Sequence, residues 1–379
     1  MSKWAGKYVI GLTGNIGTGK SVVRKMLEHL GAYGIDADAL AHRSIARGAP
    51  GYEPVLQSFG RWLVMPDGEI SRAKLAKLVF SDPEALKQLE NIIHPLVSLA
   101  VDLLVRRAEQ RVIVIEAIKL IEAGINKDCD SLWVVYAPPE VQLARLIEKR
   151  KMSEAEARQR ITAQPPQEQK LAVADVIIRN GSTFEDTWRQ VSTFWKLTIP
   201  HQSLEAEPLL TKEKTVSNAI TVIRGKPAHS VEIANLFNRL SASGQAMTPE
   251  KVMEAFGEKA YLLLTMGNEL VGAMGWQVEN LVARTLDLLI DPQTPMERAL
   301  PPLIQEMETA SNELQCEVSL IFVPPELAKL GIWRILGYEP RLPHALGVQA
   351  WQEAAQESLK PGMVMLFKQL RKDRVLRPI

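Results

Sequence analysis

Cysteine is nearly absent: the chain of 379 residues has two, Cys129 and Cys316. Two thiols so far apart build neither a disulfide framework nor a four-cysteine zinc site, so a reducing compartment is expected. Neither sign of charge dominates, with 45 Lys+Arg against 44 Asp+Glu and a net charge of +1. That balance argues against a dedicated binder of nucleic acid or of an acidic membrane surface. No uninterrupted apolar run of about 18 residues occurs, so no membrane span is expected. The apolar stretch in the opening MSKWAGKYVIGLTG is too short for a signal peptide and leads into a glycine-rich loop, so the cytoplasm is the expected location. Fixed-period repeats and low-complexity tracts are also missing. What is present is an ordinary globular composition, 46% hydrophobic and 23% charged, which excludes disorder throughout.

The clearest boundary falls near residues 198–218, TIPHQSLEAEPLLTKEKTVSN, a polar stretch with two prolines and no sustained period. It divides the chain into parts of about 200 and 170 residues, each large enough for its own core. In the first part short apolar runs alternate with helical patterns: YVIGLT at 8–13, AYGID at 32–36, RVIVIE at 111–116, SLWVVY at 131–136 and VIIR at 176–179. Residues 71–110 read as almost wholly helical. Continuously apolar strands alternating with helices predict an α/β fold whose parallel sheet is covered on both faces. The second part predicts a mixed α+β domain: strands at 219–224, 260–266, 270–276, 285–290, 318–323 and 363–370, with helices at 230–240 and 295–314.

The strongest motif is Gly14-Asn15-Ile16-Gly17-Thr18-Gly19-Lys20-Ser21, a match to G-x-x-x-x-G-K-[ST] between a predicted strand and an amphipathic helix that includes Val22. Glycines let successive backbone N–H groups curl around an anion, and the helix N-terminus adds its positive end. Lys20 suits the β- and γ-phosphates, and the Ser21 hydroxyl suits Mg²⁺. Guanine specificity is discounted: Asn126-Lys127-Asp128-Cys129 has Cys129 where an aspartate is needed, and it precedes a strand. A second cluster, Asp36-Ala37-Asp38, lies where the second parallel strand ends, the side that faces the ligand crevice in an open α/β sheet. One carboxylate there suits an attacking hydroxyl, while Asp36 alternatively caps the following helix.

Taken together and in order, the segments IGLTGNIGTGKS, LGAYGIDADALAH, GAPGYEPVLQSFG, DGEISRAKLAKLVF, LENIIHPLV, QLARLIEKR, RITAQ and ADVIIRNGS resemble the dephospho-CoA kinase family over residues 8–200. The resemblance implies a P-loop kinase fold with a five-stranded parallel sheet, a helical CoA-substrate part at about 65–110 and a lid at about 145–164. It implies transfer of the γ-phosphoryl group of ATP to the ribose 3′-hydroxyl of dephospho-CoA, the last step of coenzyme A synthesis, with ATP and Mg²⁺ as cofactors. Carried over residue by residue, Gly14 to Val22 would bind ATP. Asp38 would be the catalytic carboxylate, with Asp36 as second choice and substrate contact. Arg72 and His94 would meet the substrate. Arg145 and Arg150, in the lid, would meet the phosphates, and Ser21 and Glu116 would hold the metal. Asp175 and Asn180 match the end of the pattern, with an adenine-side or a structural role. One departure stands out: where the family commonly has an acid followed by Pro-Leu-Leu, this chain has Glu116-Ala117-Ile118-Lys119-Leu120-Ile121-Glu122, with Ile118 at the proline position. Lys119 there suits a pairing with Glu116 or contact with a CoA phosphate.

Residues 219–370 resemble a GNAT-type acetyltransferase fold by the order of their elements, which would imply acetyl-CoA as a ligand. The segment that should bind its pyrophosphate, Gln293-Thr294-Pro295-Met296-Glu297-Arg298-Ala299, has no glycine, and Pro295 removes a donor. Catalytic competence of this part is therefore not expected, and Tyr338 reads as a core residue. The expected organisation is a kinase-like domain at 1–200, a linker at 201–218 and a GNAT-like domain at 219–379, without nucleic-acid or membrane partners. Two alternatives remain open: a P-loop kinase for another nucleoside or small alcohol, and a CoA or acetyl-CoA sensor.

Overall fold

The computed structural model describes residues 3–199, 220–240, 246–267, 269–373 and 375. The expected linker at 201–218 and the turn residue Asn268 lie outside the described residues. The first half runs β1 (Tyr8–Thr13), α1 (Lys20–His29), β2 (Tyr33–Asp36), α2 (Ala37–Ser44), α3 (Tyr52–Phe59), α4 (Arg72–Ser81), α5 (Pro83–Arg107), β3 (Val112–Glu116), β4 (Ser131–Tyr136), α6 (Pro139–Arg150), α7 (Glu154–Thr162), α8 (Gln167–Leu171), β5 (Val176–Arg179) and α9 (Phe184–Thr198). Its strands form one parallel sheet in the order β2-β3-β1-β4-β5. β3 and β4 are buried almost throughout, as expected when helices cover both faces. One face packs Val97, Ala100, Val101 and Leu104 of α5. The other packs Val23, Met26 and Leu27 of α1 with Val191 and Trp195 of α9.

The helical stretch read at 71–110 is two helices. Asp82, extended at φ −137°, ends α4, and its Oδ1 accepts the N–H groups of Glu84 and Ala85 to start α5. α5 continues through Pro95 without breaking. Asn91, His94 and Pro95 are all exposed, so the carbonyl that Pro95 leaves without a donor lies at the solvent face. By length and composition alone α5 is apolar enough to cross a membrane, although polar residues interrupt its apolar run; in this fold its apolar stripe lies against the sheet.

The second half runs β6 (Ile220–Arg224), α10 (Ser230–Leu240), α11 (Pro249–Ala255), β7 (Ala260–Met266), β8 (Glu269–Glu279), β9 (Val282–Ile290), α12 (Met296–Glu313), β10 (Val318–Val323), α13 (Pro325–Ala328), α14 (Ile332–Ile335), β11 (Glu339–Pro340), α15 (Gln349–Ser358) and β12 (Val364–Gln369). These strands make a mixed seven-stranded sheet, β11-β12-β10-β9-β8-β7-β6. β9 and β10 are parallel and pair only over Val282–Arg284 with Val318–Leu320. Beyond that, the Phe322 N–H turns to the Thr285 hydroxyl at 3.2 Å.

The halves meet along α1, α2 and α5. Arg43 of α2 donates to the carboxylate of Glu317 at 2.6 Å and to the Asn280 carbonyl at 2.8 Å. The Glu317 side chain is 1% exposed and also accepts Trp351 Nε1 at 3.2 Å. Lys25 donates to the Val278 carbonyl, and Gln315 to the Leu104 carbonyl. His29 meets the Phe256 carbonyl at 2.8 Å. Removing one partner of a buried pair strands the other charge, at a cost of about 3–5 kcal/mol. Arg43→Met is therefore expected to lower stability by that order, measured as a shifted urea midpoint followed by tryptophan fluorescence.

Candidate functional site

The loop after β1 turns on glycines. Gly14, Gly17 and Gly19 have φ of 153°, 75° and 87°, values that side chains disfavour. Two of these positions are also too crowded for a side chain. A Cβ at Gly14 would lie 2.4 Å from the Val135 carbonyl oxygen, and one at Gly19 would lie 2.1 Å from Asn180 Nδ2. Asn15 is not in a positive-φ conformation and needs no glycine; its amide donates to the Pro165 carbonyl at 2.8 Å. Asn180 is buried, donates to the Thr18 carbonyl at 2.8 Å and accepts the Thr187 hydroxyl at 3.0 Å. It therefore braces the loop, while Asp175 holds the N–H of Leu132 at 2.7 Å.

Lys20 opens α1 and is 8% exposed. Burial pushes its amine down, while Glu116 and Asp38 pull it back up. Glu116 ends β3 and is 4% exposed. One of its oxygens accepts the Ser21 hydroxyl at 2.8 Å, and the other takes Arg24 Nε at 2.7 Å. Arg24 also bonds Glu28, four residues on. These partners were not legible in the sequence: Glu116 pairs with Arg24, and Lys119 points instead to Glu90 of α5 at 2.8 Å.

The two aspartates divide their duties. Asp36 is the N-cap of α2, its Oδ1 accepting the Ala39 N–H at 2.8 Å. Burial, reinforced by Glu116, pushes its carboxyl up to about 6. Asp38, in the first turn, accepts the N–H of Ile118 on Oδ2 at 3.0 Å, a donor that a proline at 118 would lack. Burial raises the Asp38 carboxyl, and the Ile118 N–H and Lys20 oppose that rise.

Helices α6 and α7, where the lid is expected, meet the loop through a small apolar cluster of Ile16, Leu146 and Ala157. Arg145 donates to the carbonyls of Gly17 and Thr18, both at 3.3 Å. Arg150 is exposed at the end of α6, within electrostatic reach of Lys20. Past α7, Gln164 Oε1 accepts the Ile16 N–H at 2.8 Å. Lys170, which the sequence did not single out, is 4% exposed and donates to the Ile118 carbonyl at 2.5 Å.

Of the expected acceptor residues, Arg72 starts α4 and is paired with Glu353 of α15 at 3.1 Å. His42 of α2 lies in the fields of Arg72, Asp38 and Glu353, its basicity lowered by burial and by Arg72. His94 is exposed on α5, with no hydrogen bond to these residues among those described. In the second half, α12 starts at Met296 with Pro295 as an N-cap that supplies no side-chain bond. Tyr338 is 3% exposed, donates to the Ser319 hydroxyl at 3.0 Å and packs edge-on against Trp333, a core role.

The sequence profile described as dephospho-CoA kinase matches residues 8–186. The dephospho-CoA kinase of Geobacter metallireducens is 42% identical over 191 residues, half of this chain and 95% of that one. The solved dephospho-CoA kinase of Campylobacter jejuni is 28% identical, covering 50% of this chain and 96% of its own, with a TM-score of 0.39. A solved GNAT-family acetyltransferase of Staphylococcus aureus covers 40% of this chain and all of its own, at 11% identity and a TM-score of 0.33.

Asp36 gives a pH test. Its folded-state carboxyl is raised, so ionising it costs the native state stability that is fully present below about pH 4 and lost as pH rises through about 6. Asp36→Asn keeps an acceptor for the cap and removes the charge. It is expected to stabilise the nucleotide-free protein by about 1–3 kcal/mol near pH 7.5, with the gain vanishing near pH 4 in denaturant melts.

Proposed function

This chain belongs to the dephospho-CoA kinase family through residues 8–186, and on that premise we propose how its own residues carry out the reaction. The enzyme phosphorylates dephospho-CoA at the expense of ATP, the final step of coenzyme A synthesis. The observation that carries the residue assignment is the approach of the loop lysine and the α2 carboxylate beyond the C-terminal ends of β1 and β2: Lys20 and Asp38 lie in each other's fields.

The N–H groups of the Gly14–Val22 segment and the start of α1 receive the phosphates of ATP. Lys20 neutralises the β- and γ-phosphates, and its partial desolvation makes it a stronger partner for an anion than a surface ammonium. Asp38 orients the ribose 3′-hydroxyl and takes its proton, using the oxygen that Ile118 does not hold. Asp36 keeps α2 in place and flanks the acceptor. Arg145 is held by the loop carbonyls beside the phosphates, where a guanidinium fork stabilises the charge that spreads over the migrating group. Arg150 adds a weaker field from the lid. Arg72, His94 and the exposed part of α5 face the CoA moiety, and an acceptor phosphate would compete with Glu353 for Arg72.

Ser21 and Glu116 offer the hard oxygen donors that Mg²⁺ prefers, a hydroxyl and a buried carboxylate already in contact at 2.8 Å. Mg²⁺, when bound, spreads the charge of the phosphate oxygens. Ser21 would hold it, with Glu116 behind the hydroxyl.

We also assign residues 219–379 to a separate domain joined through 201–218. Its own core, built on Leu303, Ile304, Met307 and Trp333, supports that division. The glycine-free segment before α12 and the buried Tyr338 favour a non-catalytic role for it.

Lys20→Ala and Asp38→Asn are each expected to lower dephospho-CoA-dependent ADP release by at least about 10²-fold while leaving circular dichroism unchanged. Adenosine and pantetheine serve as control acceptors. Full turnover by Asp38→Asn would discard its role, and preference for adenosine would move the acceptor to another class.

A further inference from the structure

The peptide at residue 118 is gripped from both sides. Its N–H goes to Asp38 Oδ2 at 3.0 Å. Its carbonyl accepts Lys170 Nζ at 2.5 Å and the Thr13 hydroxyl at 3.1 Å. Residue 118 lies in a turn after β3, outside any strand or helix, so side chains fix its orientation where a ladder would otherwise do so. We propose that Lys170 is a positioning residue for phosphoryl transfer, anchoring the Ile118 peptide and, through it, aiming the carboxylate of Asp38.

Three observations support this assignment. Lys170 is 4% exposed, and a buried ammonium is kept only where it has defined partners. Its carboxylate neighbour, Glu122, stands off at 3.6 Å, longer than a hydrogen bond. The short bond to Ile118 is thus its closest polar contact among the described residues. The amine also lies in the fields of both Asp38 and Lys20, which places it beside the two groups assigned to the chemistry. Finally, Lys170 belongs to α8, directly after the lid, and the segment before it is tied to the phosphate loop. Gln164 accepts from Ile16, and the Pro165 carbonyl accepts from Asn15. A continuous series of contacts therefore runs from the lid and loop, through Lys170 and Ile118, to Asp38. Movement of the lid would reach the acceptor carboxylate along it.

The inference rests on the reading of Asp38 as the group that receives the acceptor hydroxyl. A chain of contacts is not yet a coupling, and a double-mutant cycle measures one. With the full chain, ATP and dephospho-CoA, Lys170→Met is expected to lower kcat by about 10–100-fold and to change the KM for ATP by less than about 3-fold. Lys170→Arg, which keeps a donor, is expected to recover most of that loss. Asp38→Glu moves the carboxylate away from the Ile118 N–H and leaves measurable turnover. In that background Lys170→Met is expected to cost less than about 3-fold, because both changes break one series.

Wild-type kcat in Lys170→Met would overturn the proposal. So would a loss that multiplies in full with Asp38→Glu, which would mean that Lys170 acts on the phosphates directly. A raised KM for ATP with kcat intact would also overturn it. Should Lys170→Met fail to bind a fluorescent ATP analogue, the comparison of Lys170→Arg with wild type, alone and in Asp38→Glu, decides by the same criteria. Full activity of Asp38→Asn would sink the reading of Asp38 itself, whereas an active wild type with an unimpaired Lys170→Met sinks only the role of Lys170.

Discussion

A single carboxylate fixes the phosphate loop to the sheet. Glu116 stands at the end of β3, next to β1 in the parallel sheet, and holds the Ser21 hydroxyl with one oxygen and the Arg24 guanidinium with the other. Both partners lie in the first two turns of α1, so the helix cannot turn about its axis without breaking both bonds. Within the same small volume lie Lys20, Asp36 and Asp38. Charges removed from water must be matched in place, and here Arg24 faces Glu116 and Asp36 while Lys20 faces Glu116 and Asp38. The raised carboxyl of Asp36 records first the cost of burying it and then the repulsion of Glu116. The site is thus a packed charge arrangement first and a binding cradle second.

Much of this organisation was legible in the sequence because it is local. Short β-branched runs such as SLWVVY and VIIR became strands with the expected bounds, since burial on both faces selects continuous apolarity. The loop glycines announced themselves by spacing, and the structure adds that Gly14 and Gly19 also lack room for a methyl. That Asp36 caps α2 was readable only as an alternative, because a cap and a catalytic carboxylate call for the same residue type. The rest depends on partners far apart in the chain. Arg43 meets Glu317, 274 positions away, and Arg72 meets Glu353. Lys119 turns to Glu90, and Lys170 to Ile118. No period or spacing rule marks such pairs, and a lysine inside QEQKL reads as surface until the fold buries it.

The departure at Ile118 illustrates how a local change acquires meaning from its surroundings. In the sequence it is a missing proline. In the fold it is an added N–H donor at the one place where the α2 carboxylate can accept it. The neighbouring Lys119 takes no part in this and lies on an exposed ion pair, of a kind that contributes little to stability.

The seam between the halves has a practical consequence for anyone who would work with the kinase half alone. The first half carries contacts to the second that a cut between them would remove. Arg43, on the very helix that carries Asp38, would lose its counter-ion. The apolar strip around Leu104, covered by Leu281 and Leu314, would be laid bare to water. A truncated fragment would therefore expose apolar surface and carry an α2 released from its outer anchor, making the intact polypeptide the proper object for enzymology.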